Sequence, residues 1–365
     1  MRAFLGIPLD KRTPDHSTLT LTRKRLPEAV FEEVFQFVLG IAEAKQLIAG
    51  KTVGVDSTTL EANAAMKSIV RRDTGEDWTA YVTRLMREAE VIGAEETPSA
   101  EEVARFDRKR KDKTASNADW KSKTDEDAKI ARMKDGTTHL AYKAEHVVDL
   151  ESDLILAAEI YPANQADTAT LADSLVMARI NLEAAGSSAK LNEAAADKGY
   201  HAAETIEMCD FLDIWTYIPE SQSQASATWE DHPEAERKAA KNNRRRMKRA
   251  KGKRLQRRRS EVVERTFAHL CETGGSRRSH LRGRANVTKR YVIAAAAHNL
   301  GRILRKLTGV GKPKTLQGTA GGRSSGRKRR SRPSKFSWAW FARGFAGRLA
   351  RFRRFNTTSA VRCGV

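Results

Sequence analysis

Residues 51–65 read KTVGVDSTTLEANAA, a stretch in which a short apolar run leads to an acidic residue, Asp56. The β-branched and apolar residues before it predict a β-strand that leaves the core at Asp56. The same arrangement returns in LNEAAADKGY at 191–200, where three alanines precede Asp197. Both stretches predict a strand that ends in an aspartate.

A third acidic residue, Glu264, lies in the amphipathic stretch SEVVERTFAHL at 260–270, which predicts a helix. Two strand ends and a helix can converge on one point. Two neighbouring divalent cations need several hard oxygen ligands, and carboxylates supply both the oxygens and the compensating charge. Because the chain has 46 Asp plus Glu, the contexts of these acids, and not their mere presence, indicate a candidate two-metal site.

Each acid also has a structural alternative. Asp56 could cap a turn through its carboxylate, and Asp197, followed by KG, has the composition of a turn. Glu264 could be a surface residue paired with a neighbouring arginine, and Glu261 competes with it for the ligand role. The residues alone leave both interpretations open.

Length and composition restrict the class of protein. The chain has 365 residues, enough for one large or two modest domains. It has no apolar run of about 18 residues and no signal peptide, so we expect a cytoplasmic protein with no membrane partner. Its three cysteines are far apart, which argues against a disulfide framework and a structural zinc site.

The positive charge is concentrated in two regions. The net charge is +21, yet residues 237–259 carry 14 Lys or Arg and no acid. Residues 273–365 carry 24 more, again with no acid, which leaves −17 on the other 249 residues. A polyanion is the expected partner, because each neutralised phosphate releases counterions.

The order of predicted elements indicates the fold class. A helix precedes the Asp56 strand, and a mixed-charge insertion at about 66–135 follows it. A hairpin of two strands comes next, then a helix with Asp167 as its N-cap, and then strand, helix, strand and helix. This order predicts an α/β fold of the ribonuclease-H-like type, with a mixed sheet flanked by helices, a helical insertion and basic extensions.

Several segments together resemble one family. They are GVDSTTLEANAAM at 54–66, residues 106–149, ADKGY at 196–200 and the stretch from ERTFAHL to GRIL at 264–304. Over residues 10–307 the chain resembles a DDE transposase of bacterial insertion sequences. The resemblance implies that Asp56, Asp197 and Glu264 bind two Mg²⁺ or Mn²⁺ ions. It also implies cleavage of the element's ends and their transfer to target DNA.

The resemblance also implies double-stranded DNA as the partner, both as element ends and as target. We expect a homodimer on DNA and association with the nucleoid. The residues expected to contact DNA are Lys198, Tyr200, Arg244, Arg245, Arg246, Lys248, Arg249, Arg258, Arg259 and Arg265. Of the tryptophans, Trp215 is expected in the core and Trp229 in contact with DNA.

We expect three regions: a helical remnant at 1–50, a catalytic domain at 51–307 and a flexible basic tail at 308–365. In the family the opening segment follows a longer N-terminal region, so we expect an N-terminally truncated copy. Two alternatives stay open. One is a ribonuclease-H-like nuclease without strand transfer, and the other is an inactive basic DNA-binding remnant.

Overall fold

A computed structural model describes Pro8, Asp10 and residues 15–111, 116–133, 136–221 and 229–309. The chain divides into two compact units, Met1–Ile303 and Leu304–Val365. The fold below is that of the first unit. In the second, the described residues are the last turn of a long helix and Gly309, and the predicted basic tail lies outside the described residues from 310 onward.

The described residues form nine helices and eight strands. The helices are α1 (His16–Arg25), α2 (Glu28–Ala44), α3 (Trp78–Glu88), α4 (Ala100–Lys109), α5 (Asp167–Ala184), α6 (Ala203–Phe211), α7 (Glu234–Lys248), α8 (Ala250–Phe267) and α9 (Arg284–Thr308). The strands are β1 (Thr52–Glu61), β2 (Ile69–Arg71), β3 (Trp120–Ser122), β4 (Lys129–Arg132), β5 (Thr138–Asp149), β6 (Ile155–Pro162), β7 (Glu193–Ala195) and β8 (Trp215–Tyr217).

Six strands form one mixed sheet with β1 near its centre. β1 pairs antiparallel with β5 on one side and parallel with β7 on the other, and β8 extends the sheet parallel to β7. Along the far edge of β5, β4 pairs with its first residues and β6 with the rest. The predicted class, a mixed sheet flanked by helices, is confirmed.

Side chains alternate between the two faces of the sheet along β1, and a helix packs on each face. Gly54 and Asp56 point to the face covered by α8, where Arg259 contacts both residues. Ser57 points to the other face and donates a hydrogen bond to Asp167 in the first turn of α5. The strand interior is apolar on both faces, with Val53 and Val55 fully buried. This two-sided burial explains the short continuous apolar run before Asp56.

Two expectations about local structure were wrong. β1 does not end at Asp56 but continues to Glu61, because Ser57 to Glu61 keep pairing with β5 in an unbroken register. Asp167 is not the N-cap of α5; that position belongs to Ala166. The Asp167 carboxylate instead accepts hydrogen bonds from side chains on β1 and β5.

The predicted insertion contains the expected helices but also part of the main sheet. Helices α3 and α4 pack around a small apolar cluster of Val82, Met86 and Val103. The strands β2 and β3 form a separate two-stranded sheet. β4, at Lys129–Arg132, pairs with β5 in the main sheet, so the core resumes before the predicted boundary at 135.

An acidic cluster lies between β6 and α2. The pKa of Glu159 on β6 is raised to about 7, mainly by burial and also by the charges of Glu32, Glu145 and Glu28, while Arg284 lowers it. Burial also raises the pKa of Glu32. A carboxyl group whose pKa rises on folding binds a proton more tightly in the native state, so its ionisation opposes folding.

We predict that the wild-type protein loses stability as the pH rises from about 5 to 8, through the raised pKa of Glu159. Replacing Glu159 with Gln removes this ionisation, and the free energy of unfolding at pH 8 then rises by about 2 kcal/mol. At pH 5 the change is close to zero. Urea unfolding at the two pH values checks this, and an equal effect at both would contradict it.

Candidate active site

The register of β1 and β7 places Asp56 and Asp197 next to each other. Gly54 pairs with Ala195 in the parallel ladder, and each aspartate lies two residues beyond this pair. Because side chains alternate, residues two positions further point to the same face as the pair itself. The charge of Asp197 acts on Asp56 and raises its pKa, which agrees with this proximity.

The Asp56 carboxylate is held at both oxygens. The Ser57 backbone N–H donates to its Oδ1 at 2.8 Å, and Arg259 Nη1 donates to its Oδ2 at 2.8 Å. Burial raises the pKa of Asp56 more than any other cause, and Arg259 lowers it. The carboxylate is therefore in an environment that favours a positive charge beside it.

Asp197 caps the short 3₁₀ turn Lys198–Tyr200. Its Oδ1 accepts the Gly199 backbone N–H at 2.7 Å. A Cβ atom on Gly199 would lie 3.0 Å from Asp197 Oδ1 and 3.1 Å from Asp167 Oδ2. The turn that the sequence predicts at Asp197 is therefore present. It does not exclude a ligand role, because the other carboxylate oxygen of Asp197 has no hydrogen bond that competes for it in the described residues.

A buried polar network supports this region from the opposite face of the sheet. Lys143 Nζ donates to Asp167 Oδ1 at 3.1 Å and to Thr170 Oγ1 at 2.8 Å. Thr170 and Tyr200 both donate to Glu145, whose pKa is raised by burial. The network links β5, α5 and the turn after Asp197. Sequence reasoning missed it, although charged residues on a buried strand were a usable signal.

Helix α8 lies against β1 because Gly54 has no side chain. A Cβ atom there would come 2.8 Å from Leu150 Cδ2, 2.9 Å from Val263 Cγ2 and 3.0 Å from Arg259 Cγ. One turn earlier, Gln256 donates to the carbonyl oxygens of Ala196 and Tyr217. The helix is therefore fixed both to β1 and to the strand ends beside Asp197.

Glu264 lies in the second half of α8. It is two turns beyond Gln256 and one beyond Ser260, whose hydroxyl donates to Glu264 at 3.3 Å. Glu261, the other candidate for the third ligand, is paired with Arg265 at 2.6 Å and with Arg258 at 3.5 Å. The side chain of Glu264 is exposed. In the part of the chain that the structure describes, no three His, Cys, Asp or Glu are grouped closely enough to hold a metal ion.

The donor chemistry of the aspartate pair fits a divalent cation. One carboxylate on β1 and one just after the adjacent strand β7 offer hard oxygen ligands, and burial together with mutual repulsion makes a cation between them favourable. The third carboxylate, that of Glu264, is not grouped with the pair. The guanidinium of Arg259 supplies the positive charge beside Asp56 in this structure.

The residues expected to contact DNA fall into two groups. Tyr200 is fully buried and its hydroxyl donates to Glu145, so Tyr200 is not among the proposed DNA contacts. Five arginines bind groups of the chain itself: Arg244 binds Glu220, Arg246 binds Thr216 and Asp210, Arg258 binds Asp153 and the Leu150 carbonyl, Arg259 binds Asp56, and Arg265 binds Glu261 and Asp153. The exposed group is Lys198, Arg245, Lys248 and Arg249.

The expectation for Trp215 was wrong, and the expectation for Trp229 stays a prediction. Trp215, expected in the core, is 58% exposed at the start of the edge strand β8. Trp229, expected in contact with DNA, is partly buried against His201, with 5.7 Å between the ring centroids. Edge position explains the first case, because Trp215 is the exposed first residue of a strand at the edge of the sheet. Residues 222–228, before Trp229, lie outside the described residues.

The comparisons agree with this architecture. The family described as "Transposase DDE domain" matches residues 88–300, which is more than half of the chain. The chain therefore belongs to the DDE transposase family, of the insertion-sequence type. The matched span contains Asp197 and Glu264 and begins after Asp56. No curated protein and no solved structure matches the chain significantly.

Membership of this family defines a nucleic-acid-modifying enzyme with transposase function, and the family generally uses divalent metal ions and acts on DNA. Among the described residues, none of the helices has the length and apolar character needed to cross a membrane.

We predict that replacing Gly54 with Ala destabilises the protein by about 1–3 kcal/mol, because the added methyl group overlaps three side chains at the α8 contact. Gly93→Ala is the matched control, since its nearest neighbour would lie 3.7 Å away. Thermal unfolding of both variants checks the prediction. Equal stability of the two variants would contradict the close contact.

Proposed function

We propose that the protein is a metal-dependent transposase that cleaves DNA at the ends of an insertion sequence and joins those ends to target DNA. The proposal is supported above all by the adjacent positions of Asp56, on β1, and Asp197, two residues after the parallel strand β7. The helix that packs on the same strand carries Glu264. This is the combination of two strand positions and one helix position that the sequence predicts.

In this proposal the three carboxylates hold two divalent cations, Mg²⁺ or Mn²⁺. Bound there, the cations would activate the attacking oxygen and stabilise the leaving oxygen at phosphorus. Asp56 and Asp197 provide ligands from a rigid sheet. Glu264 completes the set by turning its exposed side chain when cations and DNA bind.

The rest of the chain positions DNA. Arg245, Lys248 and Arg249 are exposed and spaced so that they lie on one face at the end of α7, next to the start of α8. Lys253, Arg254 and Arg257, which the sequence-based set of contacts did not include, are also exposed on α8. We propose that these side chains bind the DNA backbone without reading its sequence.

We further propose that two copies of the protein act together on paired element ends in the bacterial cytoplasm. The chemistry of joining requires both ends to be held near one target, which a dimer on DNA provides.

We predict that Asp56→Asn and Asp197→Asn each lower Mg²⁺-dependent cleavage more than about a hundredfold, and that Glu264→Gln does the same, since a lost ligand costs several kcal/mol. The substrate is a duplex that carries the DNA flanking the gene. Glu261→Gln, whose carboxylate is paired with Arg265 and Arg258, is the matched control and should retain activity. Unchanged cleavage in the aspartate variants would contradict the proposed site.

The same assay separates the alternatives by its products. Joined DNA in addition to cleaved ends supports a transposase, while cleaved ends without joined DNA indicate a nuclease. Binding without any cleavage by the wild-type protein indicates a DNA-binding remnant.

We predict that replacing Arg245, Lys248 and Arg249 with Gln makes the salt dependence of DNA binding less steep. The negative slope of log association constant against log salt concentration should shrink in magnitude by about 3, one for each lost phosphate contact. The matched control replaces Arg105, Arg108 and Lys109, three exposed basic residues on α4. The control should leave the slope unchanged. Equal losses in both variants would show that only net charge matters and would contradict a DNA surface on α7.

A further inference from the structure

Arg259 occupies an unusual position among the basic residues of α8. Its Nη1 lies 2.8 Å from Asp56 Oδ2, and the two side chains are 11% and 21% exposed. Its Nε also donates to Gln256 Oε1 at 3.3 Å. The neighbouring Arg258 points to the other flank, where it binds Asp153. Of these two arginines, Arg259 alone is directed at the proposed cation site.

A cation and this guanidinium compete for the same carboxylate. Asp56 Oδ1 accepts the Ser57 N–H, and Oδ2 accepts Arg259. A divalent ion that takes an oxygen of Asp56 therefore meets a positive charge already bound there. In a partly buried site the two positive charges repel each other strongly. Binding of the ion and retention of the ion pair are mutually unfavourable.

The displaced guanidinium would stay close to the site. The Cγ atom of Arg259 is packed against Gly54, which fixes the first part of the side chain on β1. Rotation of the outer bonds moves only the charged group. Arginine presents a planar set of donors that matches a phosphate group, so a DNA phosphate at the site would be a suitable new partner.

We propose that Arg259 holds Asp56 in the metal-free protein, is displaced when a divalent cation binds, and then binds a DNA phosphate. This inference rests on the proposed metal site at Asp56 and Asp197. It adds a positioning residue that couples the two ligands: cation binding makes the arginine available to DNA, and DNA stabilises the displaced arginine. By linkage, each ligand must then raise the affinity for the other.

The first test is Mn²⁺ binding to the full chain without DNA, measured by titration calorimetry. Arg259→Gln should bind Mn²⁺ about tenfold more tightly than wild type, because the competing charge is gone. Arg258→Gln, the matched control, should bind as wild type does. Unchanged or weaker binding by Arg259→Gln would overturn the inference. Thermal unfolding verifies that both variants fold.

The second test is the affinity for a DNA duplex with and without Ca²⁺. Wild type should bind the duplex roughly tenfold more tightly with Ca²⁺. Arg259→Gln should lose this gain while binding as wild type does without Ca²⁺. An equal loss of affinity in both conditions would identify Arg259 as an ordinary backbone contact and overturn the inference.

Asp56→Asn separates failure of this inference from failure of the proposed site. If wild type and Asp56→Asn bind Mn²⁺ equally, or neither wild type nor Arg259→Gln binds it, the metal site is wrong and the inference falls with it. If Asp56→Asn loses Mn²⁺ binding and Arg259→Gln binds as wild type does, the site stands and only the coupling through Arg259 is wrong.

Discussion

The close contact between helix α8 and strand β1 at Gly54 is the constraint on which the candidate site depends. A side chain at this position would overlap Leu150, Val263 and Arg259. Because Gly54 has no side chain, α8 lies close enough to β1 for Arg259 to contact Asp56 and for Gln256 to contact the Ala196 carbonyl beside Asp197. The helix that carries Glu264 is thereby held against the two strands that carry the aspartates. The missing side chain at Gly54 thus allows the close contact between α8 and the strand that carries Asp56.

Charge compensation is the second organising principle. On the α8 face, Asp56 is paired with the guanidinium of Arg259, and on the opposite face Lys143 lies 3.1 Å from Asp167 and 3.7 Å from Glu145. Each buried or half-buried acid is costly without a positive partner. On the opposite face that partner is a lysine within a closed network. On the α8 face it is an arginine on a helix surface, which a cation can replace.

The sequence predicted the mixed sheet, the hairpin and the main helices, because apolar periodicity and turn residues are local signals. It could not predict where β1 ends, since pairing with β5 carries the strand past Asp56. It also assigned Asp167 to a cap, because its contacts with Ser57 and Lys143 are made only in the folded chain. Basic residues were counted as DNA contacts from charge alone, whereas Arg258 binds an acid of the chain itself. Which group a charged side chain binds depends on the tertiary structure and is not a local signal.

A crystal structure of the protein with Ca²⁺ and duplex DNA tests the central claim, that Asp56 and Asp197 together form the cation site. The account predicts a Ca²⁺ ion within about 2.6 Å of carboxylate oxygens from both residues. It also predicts that Arg259 has left Asp56 for a DNA phosphate. A complex in which Ca²⁺ binds elsewhere, and Asp56 keeps its bond to Arg259 beside bound DNA, would contradict it.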